Sequence, residues 1–100
     1  MIVYTTFPHR RQARALAKNL IKEKLVACAN IFKIDSLYPW KGELEEAREY
    51  SVFLKTREDL YPQIESRIKE LHPYELPCII SWKIAHGSKE FLNWIAENTT

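Results

Sequence analysis

Residues 25–56, LVACANIFKIDSLYPWKGELEEAREYSVFLKT, decide the fold. Leu25 to Trp40 reads as one strand, Lys41-Gly42 as a two-residue hairpin turn, and Leu44 to Thr56 as the returning strand. Gly42 supplies the positive φ that such a turn needs at little steric cost. At about 3.3 Å per residue, Leu25 to Trp40 reaches roughly 50 Å. A compact domain of this length measures roughly 33 Å across. The hairpin must therefore protrude, bend, or both. Its far half carries Leu37, Tyr38, Trp40 and Leu44. That is more apolar surface, and more bare strand edge, than a monomer usually leaves wet. The expectation is a symmetric homo-oligomer whose hairpins, through Tyr38 and Trp40, pack between copies. The alternative is a bulged hairpin curling back over its own sheet. Geometry does not choose between dimer and trimer.

Outward from the hairpin, Ile2 to Phe7 is a strand stopped by Pro8. Arg10 to Lys24 is a helix with Ala13, Leu16, Ala17, Leu20 and Ile21 as its buried stripe. Asp59 offers an N-cap for a second helix, with Pro62 at its third position and Ile64, Ile68 and Leu71 facing inward; Pro73 ends it. Pro77 to Ala85 is an apolar strand, with Cys78 expected in the core. Gly87-Ser88 breaks and caps a last short helix bearing Phe91, Leu92, Trp94 and Ile95, with Trp94 as core. The order is βαββαβ plus a helix. Two single-striped helices must cover one face of a mostly antiparallel sheet, giving an α+β, ferredoxin-like domain over residues 1–100.

The 100 residues are 46% hydrophobic and 28% charged, with two Gly and five Pro, which excludes disordered, collagenous and low-complexity chains. No apolar run approaches the roughly 20 residues of a membrane span. No basic-then-apolar leader opens the sequence, so the cytoplasm is the expected compartment. Fifteen basic against thirteen acidic side chains leave +2, too balanced to imply a polyanion by itself. Arg10, Arg14, Lys18 and Lys22 do recur every four residues on the first helix. This is the support for an alternative nucleic-acid-binding module, although the aromatic strand signature of RNA-binding sheets is missing and a solvated helix face is the plainer reading. No Gly-rich phosphate loop, His-Glu-x-x-His pair or nucleophile triad occurs, so no catalytic residue and no enzyme are expected.

Cys28 and Cys78 stand alone, without zinc-ribbon or disulfide spacing. A Cys28 thiolate suits Cu(I) or Zn(II), alone or shared across subunits, and the two-residue turn places it opposite Lys55, whose ammonium would favour the thiolate. The alternative is a small buried residue in an Ala-Cys-Ala strand. His72, between a helix end and Pro73, either stabilises that helix terminus or joins Tyr74 and Glu75 in a binding connector stiffened by Pro77. Glu49 and Lys55 share a face of the returning strand and could line a groove. His9 and His86 read as solvated.

Cys28-Ala29-Asn30-Ile31, Ser36-x-Tyr38-x-Trp40-x-Gly42, Lys55-Thr56, His72-Pro73-Tyr74-Glu75-x-Pro77 and Trp94 together resemble the CutA divalent-cation tolerance proteins over essentially the whole chain. The resemblance implies a homotrimer of ferredoxin-like protomers, similar in architecture to the PII signalling proteins, with a role in tolerance of copper and other divalent cations. It implies a metal ion or small ligand at intersubunit clefts, with His72 as a metal candidate and Lys55, Tyr74 and Glu75 in the cleft; the residues read by themselves add Cys28 as a metal candidate and Glu49 as a cleft residue. In some relatives a cysteine late in the first strand and a doubled histidine have been taken as copper ligands. Here Thr5 and Leu71-His72 stand there, so only His72 carries over. No organic cofactor, membrane or nucleic-acid partner is implied. A structural, partner-binding trimer without ligand is the third reading.

Overall fold

The computed structural model describes residues 1–100. Its elements are β1 (Ile2–Phe7), α1 (Arg10–Lys22), β2 (Cys28–Trp40), β3 (Glu43–Lys55), a 3-10 turn (Glu58–Leu60), α2 (Tyr61–Leu71), β4 (Ile80–Trp82) and α3 (Lys89–Glu97). The four strands form one sheet in the order β2-β3-β1-β4, antiparallel throughout. This is the expected ferredoxin-like α+β layout with a helix appended. Val3, Phe7, Val52 and Leu54 line one sheet face and meet Ala13, Leu16 and Leu20 of α1 and Ile64 and Ile68 of α2 in a single core.

The hairpin protrudes and does not curl back. Its ladder runs without a bulge from Cys28 opposite Lys55 to Trp40 opposite Glu43. Lys41 and Gly42 both have positive φ, 51° and 82°, as a primed two-residue turn requires. The last residue of β1, Phe7, pairs with Tyr50. Beyond that pair β2 and β3 continue as a two-stranded ribbon, and the molecule measures 45 × 26 × 21 Å. It exposes 6578 Å², against about 6,000 Å² for a compact monomer of this mass.

Several local expectations are corrected. α1 stops at Lys22 because the chain closes a Schellman cap: Lys24 is left-handed (φ 61°), its N–H donates to the Ile21 carbonyl at 3.0 Å, and the Leu25 N–H donates to the Leu20 carbonyl at 2.9 Å. Leu25 and Val26 are then buried in the core, and β2 begins only at Cys28. Asp59 does not cap α2. It lies in the 3-10 turn, 3.7 Å from Arg57, and α2 follows with Pro62 at its second position. β4 is shorter than expected because Trp82 already pairs with Ile2, where β1 begins, so Lys83 to Ala85 have no strand beside them. Ser88 does cap α3, accepting from the Phe91 N–H at 3.2 Å. Only Ile95 of α3 is buried; Trp94 is 41% exposed, and Ile21 and Leu71 also lie at the surface. Cys78 is half-buried rather than core.

Candidate functional site

The densest polar arrangement lies where β1 ends and the hairpin leaves the sheet. Pro73 forces the residue before it into extended backbone, and His72 is found at φ −81°, ψ 136° as the C-cap of α2. This turns its imidazole away from the helix and onto Phe7, with ring centroids 4.2 Å apart and planes 21° apart. Nε2 lies 2.7 Å from the Thr6 carbonyl oxygen, and Nδ1 is 3.1 Å from the Tyr74 backbone nitrogen. A carbonyl only accepts and an N–H only donates. The ring is therefore the neutral tautomer with its proton on Nε2. Burial lowers the His72 pKa below the usual histidine range, opposed by the Thr6 carbonyl and the charge of Glu49.

Tyr74 continues the chain of contacts. Its hydroxyl donates to Glu49 Oε2 at 2.6 Å, and Glu49 is only 5% exposed. Burial, then the Glu49 bond and charge, then Tyr38 push the Tyr74 pKa far above the ordinary phenol value. It is thus a permanent donor. Burial and the same Glu49 charge push the Cys78 thiol up as well. Glu49, Tyr74, His72 and Thr6 form one relay of hydrogen bonds that straps residues 72–74 across the end of β1.

The structure divides the remaining predicted residues. Cys28 and Lys55 pair at the opposite end of β3, about 20 Å along the strand from Glu49 at 3.3 Å per residue. There Lys55 Nζ lies 5.5 Å from the Phe91 ring centroid, and the Cys28 thiol points to Asn30 Oδ1 at 3.8 Å. Glu75 is exposed. His72 and Cys28 are thus not brought together as metal ligands. Both nitrogens of His72 are committed within the chain, and no three His, Cys, Asp or Glu side chains converge. The donors of a single chain do not fit a divalent cation. Thr5 adds no strong ligand, being a fully buried hydroxyl without a partner.

Residues overlooked in the sequence lie on the sheet face away from α1 and α2. By strand alternation Tyr4, Phe32, Phe53, Ile80 and Trp82 point there. Phe53 stands edge-on to Tyr4, Phe32 and Trp82 at centroid distances of 5.3, 5.3 and 5.8 Å. Phe32, Ile80 and Trp82 are 42%, 54% and 43% exposed. The register continues this face outward through Ile34 to Tyr38 and Trp40. The signal was present: the two-residue turn fixes which residues of β2 and β3 share a face, and Phe32 and Phe53 follow from it.

The family described as CutA1 divalent ion tolerance protein matches residues 1–98. The divalent-cation tolerance protein CutA of Pyrococcus horikoshii is 46% identical over 99 residues, covering 99% of this chain and 97% of that one. The crystal structure of CutA1 from Pyrococcus horikoshii superposes with a TM-score of 0.95 at 44% identity, over 99% of this chain and 97% of that one. The PII-like protein CutA from Nostoc sp. PCC 7120, in apo form, does so with a TM-score of 0.93 at 30% identity, over 99% and 96%. Sequence and fold agree along the whole length, and the chain belongs to the CutA1 divalent ion tolerance family.

Proposed function

We propose that the chain acts as a homotrimer that serves divalent-cation tolerance by binding and signalling, in the manner of PII-like proteins, rather than by turnover. The observation that carries this reading is the uncovered aromatic face formed by Tyr4, Phe32, Phe53 and Trp82, continuous with Tyr38 and Trp40 on a ribbon that overshoots the globule. A stable interface needs about 800 Å² per partner, and this face and ribbon are the extended apolar surface available to meet it. Copies joined there would bring the ribbon of one beside the strap of another. A small ligand would then enter a cleft walled by Glu49 and Tyr74 at one end and by Lys55 at the other, with Glu75 at its rim. A divalent or soft cation, copper included, would meet Cys28 at the seam between copies, and His72 would take no part. The compartment proposed is the cytoplasm, where the free thiols Cys28 and Cys78 stay reduced.

Light scattering at micromolar concentration tests the assembly. The expected mass is about 36 kDa, three times the 11.9 kDa chain. A folded 12 kDa particle would reject it. Calorimetry with Cu(II) and Zn(II) tests the metal. Binding that Cys28→Ser abolishes and His72→Gln leaves intact supports the seam site. Binding lost in His72→Gln and kept in Cys28→Ser would overturn it. Fractionation that finds the chain in an oxidising compartment would reject the cytoplasm.

A further inference from the structure

Helix α1 carries charges that neither the core nor the cleft uses. Arg10, Arg11, Arg14, Lys18 and Lys22 are all exposed. At about 100° per residue they fall within an arc of about 120°, on the side away from the buried Ala13, Leu16, Ala17 and Leu20. No carboxylate occurs from His9 to Lys22. Every other arginine has an acidic partner: Arg48 has Asp35, Arg57 has Asp59, and Arg67 has Glu23 and Glu70. Arg10 instead lies over the Tyr50 ring, 5.2 Å from its centroid, which fixes one end of the row. Arg10, Arg11, Arg14 and Lys18 border an open hollow of about 410 Å³ whose one apolar wall is Ala15.

This pattern works against the helix. Like charges three and four residues apart repel. Cations in the first turn oppose the positive end of the helix dipole, and His9 provides no side-chain cap. An anion lying along the row relieves both charge penalties at once.

We propose that the outer face of α1 docks a linear chain of phosphates, inorganic polyphosphate. From Arg10 to Lys22 the row is about 18 Å long at 1.5 Å per residue, which suits an extended polyanion better than a compact one. The guanidiniums and ammoniums would bind successive phosphates through charge-assisted hydrogen bonds. The hollow has no aromatic wall, so nucleobases would meet only guanidinium planes and not the aromatic platforms on which single-strand binding chiefly relies. The apolar stripe of α1 is consumed in the core, so the helix cannot turn it toward lipid. The row also lies on the opposite side of the molecule from the open aromatic face. It stays accessible in a monomer and in an assembly built on that face, and the inference is independent of the trimer.

Calorimetric titration of the whole protein with medium-chain polyphosphate, at low and at physiological salt, tests this. Single-stranded DNA of equal phosphate number and orthophosphate run beside it. The expected result is tighter binding of polyphosphate than of either, with log affinity falling linearly against log salt. The Arg11→Glu/Arg14→Glu pair should lose at least about tenfold through the lost phosphate contacts, and Arg48→Gln on the hairpin should lose nothing. Circular dichroism checks that the pair is folded; if it is not, Arg14→Gln alone decides, with a loss of several-fold expected. No binding at low salt, binding indifferent to the α1 variants, or a preference for DNA would each overturn the proposal.

Discussion

Tyr74 donates to a carboxylate that the fold has almost removed from water, so deleting its hydroxyl strands that group. Tyr74→Phe should cost about 2 kcal/mol in denaturant unfolding, the usual penalty for leaving a buried charged acceptor unpaired. Adding Glu49→Gln should recover part of it; a double variant no better than the single one would place the cost elsewhere. His72 gives a pH dependence with a definite sign. Its folded pKa is lowered, so below the ordinary histidine value the unfolded chain binds more protons than the folded one. Stability is then full above about pH 6.5 and falls as the pH drops through the lowered value. Burial of the imidazole, which penalises its charged form, is the main origin of the loss, and a protonated Nδ1 can no longer accept from the Tyr74 N–H. Melting followed from pH 7.5 to 5 should show this slope, and His72→Gln should flatten it. An unchanged slope would remove His72 as its source. At this scale the sequence made the connector legible as a rigid polar segment, because two prolines stand around its His, Tyr and Glu. The tautomer and the Tyr74–Glu49 bond were not legible, because Glu49 reaches Tyr74 only through the pairing of β3 with β1 and the return of the chain after α2.

Among the elements, the end of α1 carries an avoidable cost. A lysine holds the left-handed position of a Schellman cap at φ 61°, where Lys24 has a Cβ that crowds the backbone and a glycine would not. Lys24→Gly should raise unfolding stability by about 0.5–1 kcal/mol after the entropy of the freer unfolded chain is allowed for. Lys24→Ala should not, and equal effects from both would show that the left-handed backbone is not the cause. The same cap explains an error of reading. Leu25 and Val26 look like strand in composition, yet both N–H groups are committed to the Leu20 carbonyl, so these residues serve the core, and bonding to β3 starts only at the Ala27 N–H, which donates to the Lys55 carbonyl at 2.9 Å. Periodicity located the stripes of α1 and α2 correctly at Leu16, Leu20, Ile64 and Ile68 and failed at Ile21, Leu71 and Trp94. Those three lie at stripe edges or on a helix that meets few partners within one chain, and no count of apolar spacing reveals how far an opposing surface extends. Register fared best, because Lys41-Gly42 leaves one alignment and every pair from Trp40–Glu43 to Cys28–Lys55 follows from it.

For the molecule as a whole, the decisive quantity is how much of its stability belongs to one chain. The core is a single cluster on one sheet face, whereas the other face leaves Phe32, Ile80 and Trp82 about half exposed and its ribbon unsupported beyond Phe7–Tyr50. Fully burying one such side chain from full exposure contributes about 1.5–3 kcal/mol, so covering the exposed half of these three adds roughly 2–5 kcal/mol, a large share of the stability of an ordinary domain. Folding and association should therefore be linked, and the melting temperature should rise with protein concentration. Trp82→Glu sets a charge at the centre of the aromatic cluster, beside Phe53 and Tyr4, without touching the core. It should lower the particle mass measured by light scattering and abolish the concentration dependence of melting. Arg11→Glu, on the far side of the sheet, should do neither. If Trp82→Glu keeps both the parent mass and the parent melting behaviour, the aromatic face is not the contact between copies, and the overshooting hairpin must be held by some other surface.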